Sequence, residues 1–207
     1  MPTFRPNTWD ENIWNSIVIQ NEYGIHNNWP GIVIDIGGHI GSFSYFMLQY
    51  KQAKKVIVIE PDPYNFKILT TNLQEFIDTN RVVAINAGIG KPNSQLKLFA
   101  PIHDNTGGIS YVSAPNGDIQ TITLDNLIDL ADNESILLKV DCEGCEYEAL
   151  RCCTKLQKIQ AIVGEFHVRL DCGPETLRSL LESNNFAFRY HFTSSSNNIG
   201  LFGAHQT

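Results

Sequence analysis

The chain has 207 residues, 43% hydrophobic and 18% charged, which suits one globular domain with a sizeable core and excludes a disordered chain. A formal charge of −7, with Lys51, Lys54 and Lys55 as the one tight basic cluster, argues against an extended nucleic-acid surface. No apolar run approaches a membrane span, and residues 1–12 lack the basic-then-apolar pattern of a signal peptide, so no membrane partner and a cytoplasmic location are expected.

Thr8 and Glu11 have capping-box spacing, which predicts a helix continuing through Ile13, Trp14, Ile17 and Val18 until Trp29-Pro30-Gly31 breaks it. Residues 1–30 read as an N-terminal helical cap segment and residues 31–207 as the ligand-binding domain. Trp9, Trp14 and Trp29 read as packing anchors, with an aromatic lid as the alternative. Apolar runs at 32–36, 55–60, 81–85, 136–140 and 160–166 read as buried parallel strands. Helical spacing falls between them at 42–50, 65–77, 124–130 and 146–156, and a further helix opens at Pro174. Residues 96–99 and 119–123 are strand candidates separated by a Gly107-Gly108 loop, and 186–192 with 199–204 predict a closing hairpin. Strands alternating with helices imply a doubly wound α/β fold with a mostly parallel sheet.

Asp35-Ile36-Gly37-Gly38-His39-Ile40-Gly41 follows the first strand and opens a helix, where free N–H groups suit an anionic ligand group. The dinucleotide fingerprint fails here, because its first glycine falls on Ile36. Glu60 closes the second strand, where an acid can accept hydrogen bonds from ribose hydroxyls. The two together predict a nucleoside site at the C-terminal ends of the strands.

The five cysteines are Cys142, Cys145, Cys152, Cys153 and Cys172. An odd number, clustered, argues against a disulfide framework, and adjacent cysteines make poor partners in a tetrahedral zinc site. Reduced thiols packed on a helix are the expectation.

The sharpest block runs from Leu137 to Glu146, a buried strand emerging into K-x-D-x-E-G-x-E. Asp141, Glu143 or Glu146 could each cap the helix that follows. With this block, the segments VIDIGGHIGSFS (33–44), VIVIEPDPYNF (56–66), INAGIG (85–90), TLDNLID (123–129) and IVGEFH (162–167) make the chain similar to FkbM-type methyltransferases. The resemblance implies a Rossmann-like class I methyltransferase fold of about seven strands with an antiparallel last strand. It implies S-adenosylmethionine as methyl donor, S-adenosylhomocysteine as product, and O-methylation of a hydroxyl on a sugar or small natural product. By position, Asp35, Gly37, Gly38, His39, Gly41 and Ser42 would hold the methionine end, and Glu60 the ribose. Pro61, Asp62, Asn86 and Ala87 would border the adenine. Lys139, Asp141 and Glu143 would face the methyl group, with Glu165 and His167 across the pocket. The family usually carries aliphatic residues where Cys142 and Cys145 stand.

His167 has a suitable unperturbed pKa for a base that takes the acceptor's proton, with Asp141 and Glu143 orienting the acceptor. Asp141, Glu143 and Glu165 could instead hold magnesium, but no ligand spacing specific to a metal is present, and none is favoured. An NAD-dependent oxidoreductase and a catalytically silent scaffold of the same fold are the competing readings. The acceptor would be chosen by the N-terminal helix, the Gly107-Gly108 loop and residues 171–174.

Overall fold

A computed structural model describes residues 2–92, 94–100, 108 and 110–207. Five parallel strands carry the apolar runs: β1 (Ile32–Ile36), β2 (Lys55–Ile59), β3 (Val82–Ile85), β8 (Ile136–Val140) and β9 (Ile159–His167). The hairpin strands β10 (Phe186–Phe192) and β11 (Ile199–Gln206) complete a seven-stranded sheet in the order β10-β11-β9-β8-β1-β2-β3. The last strand, β11, is antiparallel to both its neighbours and lies between β9 and β10. This is the expected α/β architecture.

The alternation within β1 shows how one strand serves two layers. Ile32, Ile34 and Ile36 face one core, which includes Leu127, Leu150, Leu177 and Phe186. Val33 faces the other, with Phe43, Met47, Leu69 and Trp14. All five β1 residues are buried, as helices cover both faces. The helices between strands are α2 (Ser42–Tyr50), α3 (Pro63–Asn72), α4 (Gln74–Asp78), α5 (Leu124–Asp129), α6 (Glu146–Arg151) and α7 (Pro174–Glu182). Asp62 caps α3 by accepting from the Tyr64 and Asn65 amides, and Thr123 caps α5 by accepting from the Asn126 amide.

Several expectations change. The helix expected over 65–77 is two helices, separated at Leu73, whose buried side chain packs under the glycine loop. The helix expected over 146–156 stops at Arg151, and a short 3₁₀ turn, Leu156–Lys158, leads into β9. At the N-terminus α1 (Asp10–Trp14) continues as a π-helical turn, Asn15–Ile19. No capping box forms there: Trp9 is the N-cap, and the Thr8 hydroxyl accepts from the Asp10 amide two residues on. Trp14 is buried against Phe4 and Tyr45, and the Trp29 indole donates to the Ile32 carbonyl, so both are packing anchors.

A second, four-stranded sheet pairs the anticipated β5 (Gln95–Ala100) and β7 (Ile119–Ile122) with the unanticipated β4 (Gly88–Ile89) and β6 (Ser110–Ser113). Gly107, half of the expected loop marker, lies outside the described residues.

Candidate active site

The site lies at the C-terminal ends of β1, β2 and β8, where β1 turns into the glycine loop. Gly37 has φ +79°, and a Cβ there would stand 1.8 Å from the Asp141 carbonyl, so only glycine lets the two loops meet. Beneath them Lys139 is buried in register with Asp35 on the adjacent strand. Its Nζ donates to the Gly37 carbonyl at 2.6 Å and the Ile36 carbonyl at 3.2 Å, and pairs with Asp35 at 3.3 Å and Asp141 at 3.9 Å. The Ser44 hydroxyl donates to the other Asp35 oxygen at 2.7 Å. Burial alone would lower the Lys139 pKa, but the charges of Asp35 and Asp141 outweigh it, and the amine stays protonated. Asp35 and Lys139 thus hold the loop from below.

Glu60 is buried at the end of β2. One oxygen accepts from the His39 amide at 2.8 Å, the other from the Asp62 amide at 3.0 Å and the Asn65 side chain at 3.3 Å. Burial pushes its pKa up to about 7, against the pull of the hydrogen bonds from the Asp62 and His39 amides. Asn86 supports the turn from behind, donating to the Glu60 carbonyl at 2.8 Å and the Pro61 carbonyl at 3.1 Å.

A cavity of about 550 Å³ opens over this floor. Gly37, Gly38, His39, Ser42, Glu60 and Pro61 line it, together with Lys139, Asp141, Glu143 and Glu165. Asp35, Gly41, Asp62, Asn86 and Ala87 do not reach it: Asp35 and Asn86 brace the loops, while Gly41 and Asp62 are helix N-caps. Gly88, Ile89 and Leu96 of the small sheet form the wall expected from Asn86 and Ala87. The N-terminal segment supplies the roof, including half-exposed Trp9, Asn12, Ser16, Gln20 and Tyr23. Arg5 forks onto buried Asp10 at 2.8 and 2.9 Å, and Asp10 reaches His39 of the glycine loop at 3.4 Å, so the roof is fastened to the floor.

Across the cavity stands a carboxylate cluster around one imidazole. His167 Nε2 lies 3.2 Å from Glu143 and 3.2 Å from Glu165, and Nδ1 lies 3.0 Å from Glu146. Burial would lower the His167 pKa, but the hydrogen bonds its ring donates to Glu143, Glu146 and Glu165 raise it far above its ordinary value. The imidazole therefore keeps its proton at neutral pH and stands behind the cavity wall. Burial raises the Glu165 pKa, and the Asp141 charge adds to this. The Tyr23 hydroxyl donates to Asp141 at 2.9 Å.

Two members of this group were not anticipated. Tyr23 comes from the roof and carries no motif. Glu146 does more than cap a helix: its fully buried carboxylate accepts from the Gly144 amide at 3.0 Å and the Cys142 amide at 3.3 Å as well as from His167. The final acid of K-x-D-x-E-G-x-E was its only signal.

The expectation of reduced thiols is corrected for one pair. Cys142 and Cys145 form a disulfide, their Cα atoms 5.5 Å apart, while Cys152, Cys153 and Cys172 are free. Glu143 (φ +56°) and Gly144 (φ +101°) both take left-handed backbone, which curls the turn and brings the two cysteines together. Among the described residues no group of three or more His, Cys, Asp or Glu side chains is arranged to hold a metal ion. No described helix is long and apolar enough to cross a membrane.

Residues 35–190 match the family described as the methyltransferase FkbM domain. No curated protein matches the chain. Among solved structures, the chain is similar to a precorrin-6y C5,15-methyltransferase from Geobacter metallireducens, at 15% identity and TM-score 0.53, covering 99% of this chain and 92% of that one. It is also similar to TrmK from M. capricolum in complex with S-adenosyl-homocysteine, at 14% identity and TM-score 0.51, covering 91% and 68%. A third likeness is to a protein of the NADB-Rossmann superfamily from Streptococcus agalactiae, at 15% identity and TM-score 0.52, covering 91% and 67%. At these identities the likenesses concern the fold.

Proposed function

The chain belongs to the FkbM methyltransferase domain family, and on that premise we propose that it transfers a methyl group from S-adenosylmethionine to a hydroxyl of a sugar or small natural product. The observation that carries the cofactor reading is the junction of a glycine loop with Glu60, both facing one cavity with Asp141. The cavity also offers a group in need of a partner. Ser42 Oγ is buried on its wall, and no described residue bonds to it. A methionine carboxylate or ammonium fits beside such a hydroxyl.

When bound there, the cofactor supplies an electrophilic methyl on a sulfonium. Glu60 accepts from the ribose hydroxyls, its two oxygens oriented by the His39 and Asp62 amides. Gly37 and Gly38 leave space for close approach, and Lys139 fixes their loop from below. Small apolar surfaces at Gly88, Ile89 and Leu96 receive the adenine.

The acceptor enters beneath the N-terminal roof. The roof and Asp141 would hold its oxygen near the cofactor's methyl group, and such orientation would supply much of the acceleration. Asp141, fixed by Tyr23, orients the hydroxyl, and Glu165 takes the proton that leaves it. Glu165 suits this better than His167 because it lines the cavity and burial raises its proton affinity. Protonated His167 offsets the negative charge of Glu143, Glu146 and Glu165.

Calorimetric titration with S-adenosylmethionine, S-adenosylhomocysteine and NAD tests the cofactor reading. The first two are expected to bind, about tenfold or more weaker in Glu60→Ala, with NAD inert. Binding of NAD alone would overturn it. Product detection across hydroxylated acceptors then tests the reaction, and turnover lost in Glu165→Gln with cofactor affinity kept is the expected sign of a proton acceptor.

A further inference from the structure

The disulfide occupies an unusual place. Cys142 and Cys145 both line the cavity, and the residues between them are Glu143, which reaches His167, and Gly144, whose amide holds Glu146. The Cys142 amide holds the same Glu146 oxygen, which also meets His167 Nδ1. One covalent bond thus closes the turn on which the carboxylate cluster is built. Glu143 sits in left-handed backbone, a conformation that is strained for a non-glycine residue and persists only where its surroundings hold it.

The pair is also accessible. Both cysteines are half-buried, and Cys145 lines a second cavity of about 400 Å³ on its other side. Cys152 and Cys153 border that second cavity. The Cys153 thiol is pushed up to about 12 by burial and by its hydrogen bond to Asp125, so it lacks the thiolate needed to attack the neighbouring bond.

We propose that Cys142 and Cys145 form a reversible thiol–disulfide centre in the cavity wall, reduced by small dithiols, whose oxidation state sets the affinity of the cofactor site. Attack by a dithiol breaks the Cys142–Cys145 bond and forms the reagent's own cyclic disulfide. Two electrons and two protons pass to the protein, leaving two thiols. Freed of the cross-link, Glu143 relaxes out of left-handed backbone, its carboxylate leaves His167, and the wall shared with the cofactor loosens. The coupling is reciprocal: a ligand that prefers the oxidised form makes the pair harder to reduce by the same factor.

This inference rests on the cofactor reading, and its test separates the two. The protein is poised in mixtures of reduced and oxidised dithiothreitol, thiols are counted by alkylation and mass spectrometry, and S-adenosylhomocysteine is titrated into each form. The oxidised form is expected to bind about fivefold tighter, and saturating S-adenosylhomocysteine to shift the reduction midpoint by the same factor. Cys142→Ser with Cys145→Ser should bind like the reduced form, and Cys152→Ser should keep the full response. Equal affinity in the two forms, or a pair that stays reduced in oxidised dithiothreitol, overturns this proposal alone. Absence of binding in both forms overturns the cofactor reading and this proposal with it.

Discussion

On the proposed reading Glu60 accepts hydrogen bonds from the ribose, while lying in a place that disfavours its charge. Burial raises its pKa from 4.5 to about 7. A group whose folded pKa is raised contributes stability that is fully present below about 4.5 and is lost as pH rises through about 7. Ligand binding runs the opposite way, because the protonated acid accepts fewer hydrogen bonds. The affinity for S-adenosylhomocysteine is therefore expected to fall as pH drops below about 7, by up to about tenfold per unit. Calorimetry between neutral and acid pH checks this. Glu60→Gln should bind more weakly at alkaline pH and show a flat profile, and a slope surviving in that variant would assign the titration elsewhere.

At the scale of elements, the N-terminal roof is joined to the glycine loop by few polar contacts, of which the Arg5–Asp10–His39 fastening is the best formed. Asp10 is fully buried, so its removal leaves Arg5 without its carboxylate and breaks the contact of the roof with His39. Asp10→Ala is expected to lower stability by about 3 kcal/mol and to raise the Kd for S-adenosylhomocysteine several-fold. Thermal melts and titration check the two effects, and unchanged binding in a destabilised variant would show that the roof does not cover the cofactor. Much of the framework around this roof was legible. β1, β2 and β8 declare themselves as apolar runs with Asp35, Glu60 and Asp141 at or just beyond their C-terminal ends, because strands buried on both faces have no polar side to show. The π-helical turn was not legible, since Ile13, Ile17 and Val18 fit α-helical spacing equally well. β4, only two residues long, carries no periodicity to read. The carboxylate cluster was half legible: Glu143 and Glu165 stand in recognisable segments, but their shared contact with His167 depends on a left-handed turn at Glu143. No residue pattern announces that conformation.

Over the whole molecule, charge is unevenly placed. The net charge is −7, and the cavity gathers Glu22, Glu60, Asp141, Glu143 and Glu165 against Lys139, with protonated His167 behind. S-adenosylmethionine carries one more positive charge than its demethylated product, so under the proposed function this field would favour the donor and ease release of the product. The preference for S-adenosylmethionine over S-adenosylhomocysteine is expected to shrink as salt rises from about 0.01 M to about 1 M, over which screening shortens from roughly 30 Å to roughly 3 Å. Parallel titrations across that range check it, and a constant ratio would mean that the carboxylates are neutralised in the bound state.

The Asp35–Lys139 pair has a consequence for how the sheet is assembled. β1 and β8 are buried on both faces and, Asp35 and Lys139 aside, apolar, so nothing in their hydrophobic pattern distinguishes the correct alignment from one slipped along the strand. Only when Ile32 lies beside Ile136 do the two opposite charges meet. Every slipped alignment strands a carboxylate and an ammonium separately in the interior. The pair works as a key that admits one registration of two segments far apart in the chain. Lys139→Met alone should destabilise the protein by about 3–5 kcal/mol, because it leaves Asp35 charged and unmatched. Asp35→Leu combined with Lys139→Met should recover much of that stability while unfolding over a broader temperature range, as misaligned sheets become competitive. A transition as sharp as the wild type's would show that the strands find their alignment without the key.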